Sequence, residues 1–219
     1  KKNMTIDMPS KNETDNFKKF EFKDTDKDYS NYLYILSHIK DYEPKKERKL
    51  FDYGCSWGYG SYQFKKAGYN VSSYEISKTR SDYAKNILNI NMIENLDNVL
   101  RNSFDIFFSA HVLEHLPDPK KFLDFGFKIL NQNGVLVIFT PNGSFERKKK
   151  DFYNWNKAWG LIHPNLLDER FYMKIFSKQK YFITTKFEKD LDLFKKFMIN
   201  NESLCGTIDG DELLIIVKK

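Results

Sequence analysis

Residues 50–60 read LFDYGCSWGYG, a short apolar run that leads into a glycine-rich turn. The run predicts a buried strand over residues 50–53, and residues 62–66 predict the helix that follows the turn. Gly54 and Gly58 let the backbone turn tightly, and they let a ligand approach without a Cβ in its way. The first N–H groups of such a helix are unpaired and carry partial positive charge. The stretch therefore predicts a strand–turn–helix that binds a ligand at the turn.

The same alternation of apolar strands and helical segments continues along the chain. Ser77 is the expected N-cap of the helix after the second strand, because its side-chain oxygen can accept an orphan N–H. The alternation predicts an α/β, doubly wound fold with a mostly parallel sheet. Further strands are expected at residues 71–76, 104–110, 134–140, 180–185 and 212–218, and helices at 27–41, 77–88, from 118 to about 131–134, 167–178 and 189–199.

Length and composition fit one folded domain, since the 219 residues are 41% hydrophobic and 16% aromatic. No apolar run approaches the roughly 20 residues that span a bilayer, so membrane insertion is not expected. We expect residues 1–26 to form a flexible N-terminal arm and residues 27–219 to form a single domain. Within that domain, residues 143–175 are expected to form an insertion or lid on the substrate side.

Cysteine content and charge bear on the compartment and the partners. Cys55 and Cys205 fit neither a disulfide framework nor a zinc-ribbon spacing, which predicts a reducing, cytoplasmic setting. The net charge of +6 comes mainly from lysines scattered among acidic residues. Two basic clusters, residues 45–49 and 147–150, fit either solvated loops or contacts to phosphate or nucleic acid. The sequence leaves the oligomeric state open.

A carboxylate follows the second predicted strand at Glu75, 21 residues after Gly54. This carboxylate can accept hydrogen bonds from both hydroxyls of a ribose. A glycine-rich turn alone is a weak signal, because dinucleotide-binding enzymes use the same geometry. The spacing of Gly54, Ser56 and Gly58 departs from a dinucleotide fingerprint, so the pattern alone leaves the ligand open.

Short motifs follow one another between residues 49 and 142: FDYGC at 51–55, GYNV at 68–71, YEIS at 74–77, FDI at 104–106, VLEH at 112–115, PDP at 117–119, GVL at 134–136 and TPN at 140–142. As a set they resemble the class I S-adenosylmethionine-dependent methyltransferase family. The branch resembled most includes ubiquinone-type O-methyltransferases and sugar methyltransferases of bacterial surface-polysaccharide clusters. The resemblance implies a Rossmann-like sheet of seven strands, mostly parallel, with the last strand antiparallel.

The resemblance also implies S-adenosylmethionine as the cofactor. It implies that Gly54, Ser56 and Gly58 line the methionine part, that Glu75 holds the ribose, and that His111 faces the sulfonium. Ser56 departs from the family, which commonly has glycine at that position. The adenine pocket is expected near residues 94–96. The expected cofactor-binding set is Asp52, Gly54, Cys55, Ser56, Gly58, Glu75, Ile76, Ala110 and His111.

Residues 111–115 read HVLEH and are the second stretch that carries chemistry. On an α-helical turn, positions i, i+3 and i+4 share a face, so His111, Glu114 and His115 can converge on one divalent cation. The pattern also matches an inverted zinc-protease signature. That signature needs a long helix, whereas Pro117 leaves room for about one turn here.

Two interpretations of this stretch remain open. Some methyltransferases, notably small-RNA 2′-O-methyltransferases and ubiquinone O-methyltransferases, hold a divalent metal at this spacing, and the small-RNA enzymes have another histidine after Thr-Pro-Asn. The resemblance thus implies a Mn²⁺ or Mg²⁺ site of His111, Glu114, His115 and His163, although those families usually have glutamate in place of His111. Without metal, Glu114 and His115 fix the loop, His111 contacts the cofactor, and His163 or His115 is the general base. His111, His115 and His163 are the candidate catalytic residues.

The expected function is O-methylation of a small polar metabolite in a bacterial cell. A sugar nucleotide, or a phosphoryl-bearing precursor of a capsule or surface polysaccharide, is the favoured acceptor. The alternatives are 2′-O-methylation of RNA and a non-catalytic protein that binds the cofactor. Nucleic acid is not expected as a partner, because the basic residues are not interleaved with a clear aromatic platform. Tyr153, Trp155 and Trp159 in the lid fit either stacking on a sugar or packing within the lid.

Overall fold

The computed structural model describes residues 8–40, 47–160 and 163–219. The chain divides into two compact units, the first ending at Asn98 and the second beginning at Val99. Within the described ranges, no helix has both the length and the apolar character needed to cross a bilayer. Part of the predicted basic cluster at residues 45–49 lies outside the described residues.

The first unit contains three parallel strands in the order β3-β2-β1. Tyr53 pairs with Tyr74, so the first two strands end side by side at the same edge. The turn after β1 therefore lies next to the residues that follow β2. The elements of this unit are α1 (Lys11–Lys19), α2 (Ser30–Lys40), β1 (Lys49–Tyr53), α3 (Tyr59–Lys66), β2 (Asn70–Tyr74), α4 (Lys78–Leu88) and β3 (Asn91–Met92), followed by a 3₁₀ turn at Leu96–Asn98.

The N-terminal segment is folded onto the first unit where it is described. A capping box of Ser10 and Glu13 starts α1. Phe22 is 1% exposed, and together with Phe17 it packs into a cluster of aromatic residues from α3 and α4. The flexible arm expected over residues 1–26 is thus corrected for residues 8–26, because two aromatic side chains in a polar stretch are enough to anchor it. The aromatic partners are Tyr59, Tyr62 and Tyr83.

The second unit contains five strands in the order β4-β5-β8-β6-β7. Strand β8 is antiparallel to both of its neighbours, as expected for the last strand, and the other pairs are parallel. A single 3₁₀ turn at Leu113–His115 follows β4. The elements are β4 (Phe104–Ala110), α5 (Pro119–Ile129), β5 (Leu130–Pro141), α6 (Phe145–Lys150), α7 (Phe152–Lys157), α8 (Glu169–Ile175), β6 (Lys180–Thr184), α9 (Leu191–Asn200), β7 (Leu204–Cys205) and β8 (Glu212–Lys218).

The strands expected from apolar runs all form, with ends shifted by a few residues. The described residues contain eight strands instead of the expected seven. Strands β3 and β7 have only two residues each, which is too short to leave an alternating pattern in the sequence. Ser77 caps α4 by accepting a hydrogen bond from the Arg80 N–H, so the N-cap prediction is confirmed. The expected lid at 143–175 contains α6, α7 and α8.

Candidate active site

The glycine-rich turn runs from the end of β1 to the start of α3. Gly54, Ser56 and Gly58 all have left-handed backbone conformations, with φ of 81°, 51° and 81°. The N–H groups of Gly54 and Cys55 both donate to the Tyr74 carbonyl, at 2.8 and 3.2 Å. Serine at position 56 therefore adopts a conformation that costs an L-residue about 1–2 kcal/mol. The departure from glycine noted in the sequence is tolerated because other contacts hold the turn.

Glu75 makes the contacts that hold this turn. Its Oε2 accepts the Ser56 N–H at 2.9 Å, and its Oε1 accepts the Ser77 N–H at 2.9 Å. Each carboxylate oxygen keeps a second lone pair, and the side chain is partly exposed. Glu75 thus fixes the turn and retains the capacity to accept hydroxyl protons from a ribose.

Gly58 is the N-cap of α3 and no side chain caps this helix. Its first-turn N–H groups are therefore available to an anionic group such as a carboxylate. A Cβ at Gly58 would stand 2.7 Å from the Cβ of Ala84. Glycine is required here both for the left-handed turn and for the close approach of α3 to α4.

Three further members of the predicted cofactor set differ in exposure. Asp52 is 3% exposed and accepts a hydrogen bond from Ser61 Oγ at 2.6 Å. Burial raises the pKa of this carboxyl to about 7. Cys55 is also buried, whereas the Ile76 side chain is 86% exposed beside Glu75. Asp52 and Cys55 therefore lie beneath the turn, and Ile76 offers an apolar surface at its rim.

His111 directly follows β4, after Ala110, and has a left-handed φ of 55°. Its Nδ1 lies 3.4 Å from Oε1 of Glu114, and its Nε2 lies 2.5 Å from Oε1 of Glu212. Burial lowers the pKa of His111, but the two carboxylates outweigh it and raise the pKa to about 10. The ring thus lies between two carboxylates that favour its protonated form. Sequence reasoning missed Glu212 because its contact with His111 depends on where β8 begins.

Glu114, His115 and His163 form a compact group in the second unit. One ligand atom from each lies within 4.8 Å of the others, and the two imidazole rings are 4.7 Å apart. The Glu114 side chain is 1% exposed, and Thr140 Oγ1 donates to its Oε2 at 3.3 Å. Glu114 Oε1 has the long contact of 3.4 Å with His111 Nδ1 and no closer hydrogen-bond partner among the described residues. A buried carboxylate oxygen with only one long contact leaves room for a ligand.

The predicted metal set thus separates into three members and one outlier. The expectation placed His111 with Glu114 and His115 by the i, i+3, i+4 rule of an α-helix. The chain instead has a left-handed residue at 111 followed by a 3₁₀ turn, so that rule does not apply. The compact group of described residues consists of Glu114, His115 and His163, and His111 lies beside it, paired with Glu114 and Glu212. The role of His111 as a metal ligand stays a prediction.

Three hydrogen bonds hold this group in place. His163 Nδ1 donates to the Ala158 carbonyl at 2.7 Å, which fixes the proton on Nδ1 and leaves the lone pair on Nε2 when the ring is neutral. The backbone N–H of Asn165 donates to the Glu114 carbonyl at 3.2 Å, and its side-chain Nδ2 donates to the Leu116 carbonyl at 2.6 Å. Sequence reasoning did not predict this role of Asn165, which lies two residues after His163.

Comparison with known families identifies the protein. A family model described as a methyltransferase domain matches residues 29–181. The chain belongs to the methyltransferase-domain family. The class I S-adenosylmethionine-dependent methyltransferase predicted from the motifs is thus confirmed at the level of family, and the glycine turn lies inside the matched range.

Relatives of known name agree with this assignment. The methyltransferase is 29% identical over 119 residues to a ubiquinone biosynthesis O-methyltransferase of Coxiella burnetii, and the match covers 51% of each chain. The chain thus spans about half the length of the curated relatives it matches.

Solved structures confirm the Rossmann-like α/β fold of the methyltransferase. A TehB-like methyltransferase of Corynebacterium glutamicum matches with a TM-score of 0.58 and 15% identity, covering 95% of this chain and 97% of that one. A phosphoethanolamine N-methyltransferase of Haemonchus contortus, solved with S-adenosylmethionine, matches with a TM-score of 0.54 and 15% identity, covering 84% and 51%.

Proposed function

We propose that this methyltransferase transfers the methyl group of S-adenosylmethionine to a hydroxyl of a small polar acceptor. The observation that carries the proposal is the group of Glu114, His115 and His163. This group offers a general base and a site that can bind the hydroxyl oxygen of the acceptor. The ubiquinone O-methyltransferases among its relatives support oxygen as the acceptor atom.

The cofactor fits the first unit by three features. The uncapped start of α3 suits the methionine carboxylate, and Glu75 suits the ribose hydroxyls. Ile76 suits the apolar face of a purine, since its exposed side chain lies directly after Glu75. When bound, S-adenosylmethionine supplies an electrophilic methyl group, so the protein needs no nucleophile of its own.

The chain's own residues then have two tasks, alignment and proton removal. Without a metal, His163 is the proposed general base, because its Nδ1 is committed to Ala158 and its Nε2 keeps the lone pair. His115 lies against His163 and is the second candidate for this role. His111 is proposed to position Glu114 by its ion pair.

A divalent cation also fits the group. Glu114, His115 and His163 supply two imidazoles and one carboxylate, a set that first-row divalent metals accept and that favours Mn²⁺ over Mg²⁺. The buried Oε1 of Glu114, whose one partner is His111 Nδ1 at 3.4 Å, is the oxygen that would bind such an ion. When bound, the ion lowers the pKa of a coordinated hydroxyl.

The proposed acceptor is a sugar nucleotide or another phosphoryl-bearing precursor of a bacterial surface polysaccharide, methylated in the cytoplasm. The lid helices support this class, because exposed Tyr153 and Trp159 provide stacking surfaces beside the cationic run of α6. Such aromatic faces pack on sugar rings, and lysines attract phosphoryl groups.

Turnover on a panel of nucleotide sugars and phosphorylated metabolites tests the proposal, with EDTA, Mn²⁺ or Mg²⁺ added in parallel. We expect methylation of one class, stimulation by Mn²⁺, and loss of both in Glu114→Gln. Glu146→Gln, an exposed glutamate of the same unit, serves as the control and keeps full activity. Equal turnover in the presence and in the absence of EDTA would contradict a role for the metal ion. Cofactor binding without methylation of any metabolite would favour a non-catalytic protein.

RNA 2′-O-methylation is the second candidate, and one observation favours it. On the lid, lysines lie over aromatic rings: Lys148 over Trp155 at 4.8 Å and Lys157 over Tyr153 at 3.8 Å. The sequence argument against an interleaved basic and aromatic surface is therefore weaker than expected. Single-stranded RNA that binds with a steep salt dependence, and is then methylated, would favour this candidate.

A further inference from the structure

A cavity of about 720 Å³ opens in the second unit between α6, α7 and the loop before β8. Its volume lies within the range of small-molecule sites, roughly 300–1,000 Å³. The proposed proton removal uses none of its side chains, although Arg147 and Lys150 belong to the cationic run of α6. The polar lining includes Arg147, Lys150, Asn154, Trp155, Lys186 and Asp211.

The cavity is rich in hydrogen-bond donors. The indole Nε1 of Trp155 is buried and has no hydrogen-bond partner among the described residues. Lys150 and Lys186 reach the same carboxylate from two elements, since their Nζ atoms lie 3.1 and 2.7 Å from Oδ2 and Oδ1 of Asp209. Two ammonium groups on one carboxylate leave a net positive charge at this end of the cavity.

The carboxylates that line the cavity, and Asp209 beside it, are paired with cations. The two lysines lower the pKa of Asp209 to about 2, so this residue stays ionised. Arg147 is 8% exposed on its side chain and pairs with Asp211 at 2.5 Å and with Asp151 at 3.5 Å. The Arg147 end therefore carries more carboxylates than cations, and the excess positive charge is confined to the end formed by Lys150 and Lys186.

The cavity adjoins the proposed catalytic group by two short connections. Ala158 lines the cavity, and its carbonyl accepts the hydrogen bond from His163. Asp211 also lines the cavity, and the next residue, Glu212, pairs with His111. A ligand in the cavity therefore lies next to the residues that would act on it.

We propose that this cavity binds a phosphoryl group of the methyl acceptor, through Lys150, Lys186 and the Trp155 indole N–H. The proposal rests on the proposed function and narrows its substrate to a phosphate ester or diphosphate. A phosphoryl group is anionic and offers only acceptor oxygens, which matches two cations and an unpaired donor. A neutral sugar would leave the excess charge unmatched.

Direct titration with inorganic pyrophosphate tests the site without any methyl transfer. Binding is followed by calorimetry and by tryptophan fluorescence on the wild type and four variants. We expect saturable binding in the wild type that weakens about fivefold in Lys186→Gln, as expected for loss of one charge near 4 Å in water. Trp155→Phe keeps an aromatic ring without the N–H, and it weakens binding while its thermal unfolding stays near that of the wild type.

Two variants make the test specific. Asp209→Asn removes the carboxylate that competes for both lysines, so pyrophosphate binds more tightly, a gain that misfolding cannot produce. Lys195→Gln removes an exposed lysine that is likewise paired with an aspartate, at 3.1 Å, and leaves binding unchanged.

The absence of saturable binding, or equal affinity in Lys186→Gln and the wild type, would overturn the proposal. Binding that follows the expected order supports it even if no phosphorylated compound is methylated, in which case the proposed function alone fails.

Discussion

The carboxyl group buried beneath the cofactor turn makes stability depend on pH. Asp52 is enclosed between β1 and α3, and burial raises its pKa from 3.8 to about 7. A carboxyl whose folded pKa lies above its unfolded value binds its proton more tightly in the folded state. The contribution of the protonated Asp52 carboxyl to the free energy of unfolding is therefore fully present below about pH 4 and is lost as the pH rises towards 7.

The size of this effect follows from the pKa difference. Between pH 5 and pH 7 the unfolded chain has already lost the proton of Asp52, whereas the folded chain still keeps most of it. Each pH unit in that interval costs about 1.4 kcal/mol, so two units cost about 3 kcal/mol. Asp52→Asn keeps an oxygen that accepts the Ser61 hydroxyl proton but cannot ionise.

Urea unfolding at pH 5 and pH 8 measures the difference for each protein. Between these two pH values, we expect the unfolding free energy of the wild type to fall by about 3 kcal/mol more than that of Asp52→Asn. Asp97→Asn, which replaces an exposed carboxylate of the same unit, follows the wild type. An equal loss in the wild type and in Asp52→Asn would refute the buried-carboxyl argument.

Three further predictions follow from single contacts. Phe22→Ala costs about 3–5 kcal/mol of unfolding free energy if the N-terminal segment is anchored as described, and a cost below about 1 kcal/mol in urea unfolding would contradict that packing. Gly58→Ala places a Cβ 2.7 Å from Ala84 at a positive φ, so both the melting temperature and the affinity for S-adenosylmethionine fall; unchanged values would argue against the turn geometry. Asn165→Ala releases the loop that carries Glu114, and we expect it to lower kcat about tenfold, which is the effect of roughly one lost hydrogen bond, while cofactor affinity stays unchanged. A fall in cofactor affinity alone would contradict a positioning role.

The sequence predicted most of the fold because the relevant patterns are local. An apolar run before a glycine turn, and an N-cap serine after a strand, each act over a few residues. The two-residue strands β3 and β7 have no such pattern, since they exist only through pairing with a neighbour. The folded part of the N-terminal arm depends on Phe17 and Phe22 meeting rings that lie far along the chain.

The candidate site was predicted in its residue types but not in its pairing. His111, Glu114, His115 and His163 were all chosen from the sequence. The compact group contains the last three, and His111, whose backbone is left-handed, pairs with Glu114 and Glu212. Its partner Glu212 lies at the start of β8. The register of β5 against β8 determines the position of that residue. Local spacing predicts contacts within a helix, whereas sheet register determines contacts between distant segments.

The central claim is that the turn held by Glu75 binds S-adenosylmethionine. Calorimetric titration of the cofactor into the wild type, Glu75→Ala and Asp82→Ala tests it most directly. Asp82 is a partly exposed acidic residue on α4, paired with Lys78, and is the matched control. We expect saturable binding by the wild type and by Asp82→Ala, and affinity at least about tenfold weaker in Glu75→Ala, the effect of about 1.4 kcal/mol. No measurable binding by the wild type, or equal affinity in Glu75→Ala, would contradict the claim.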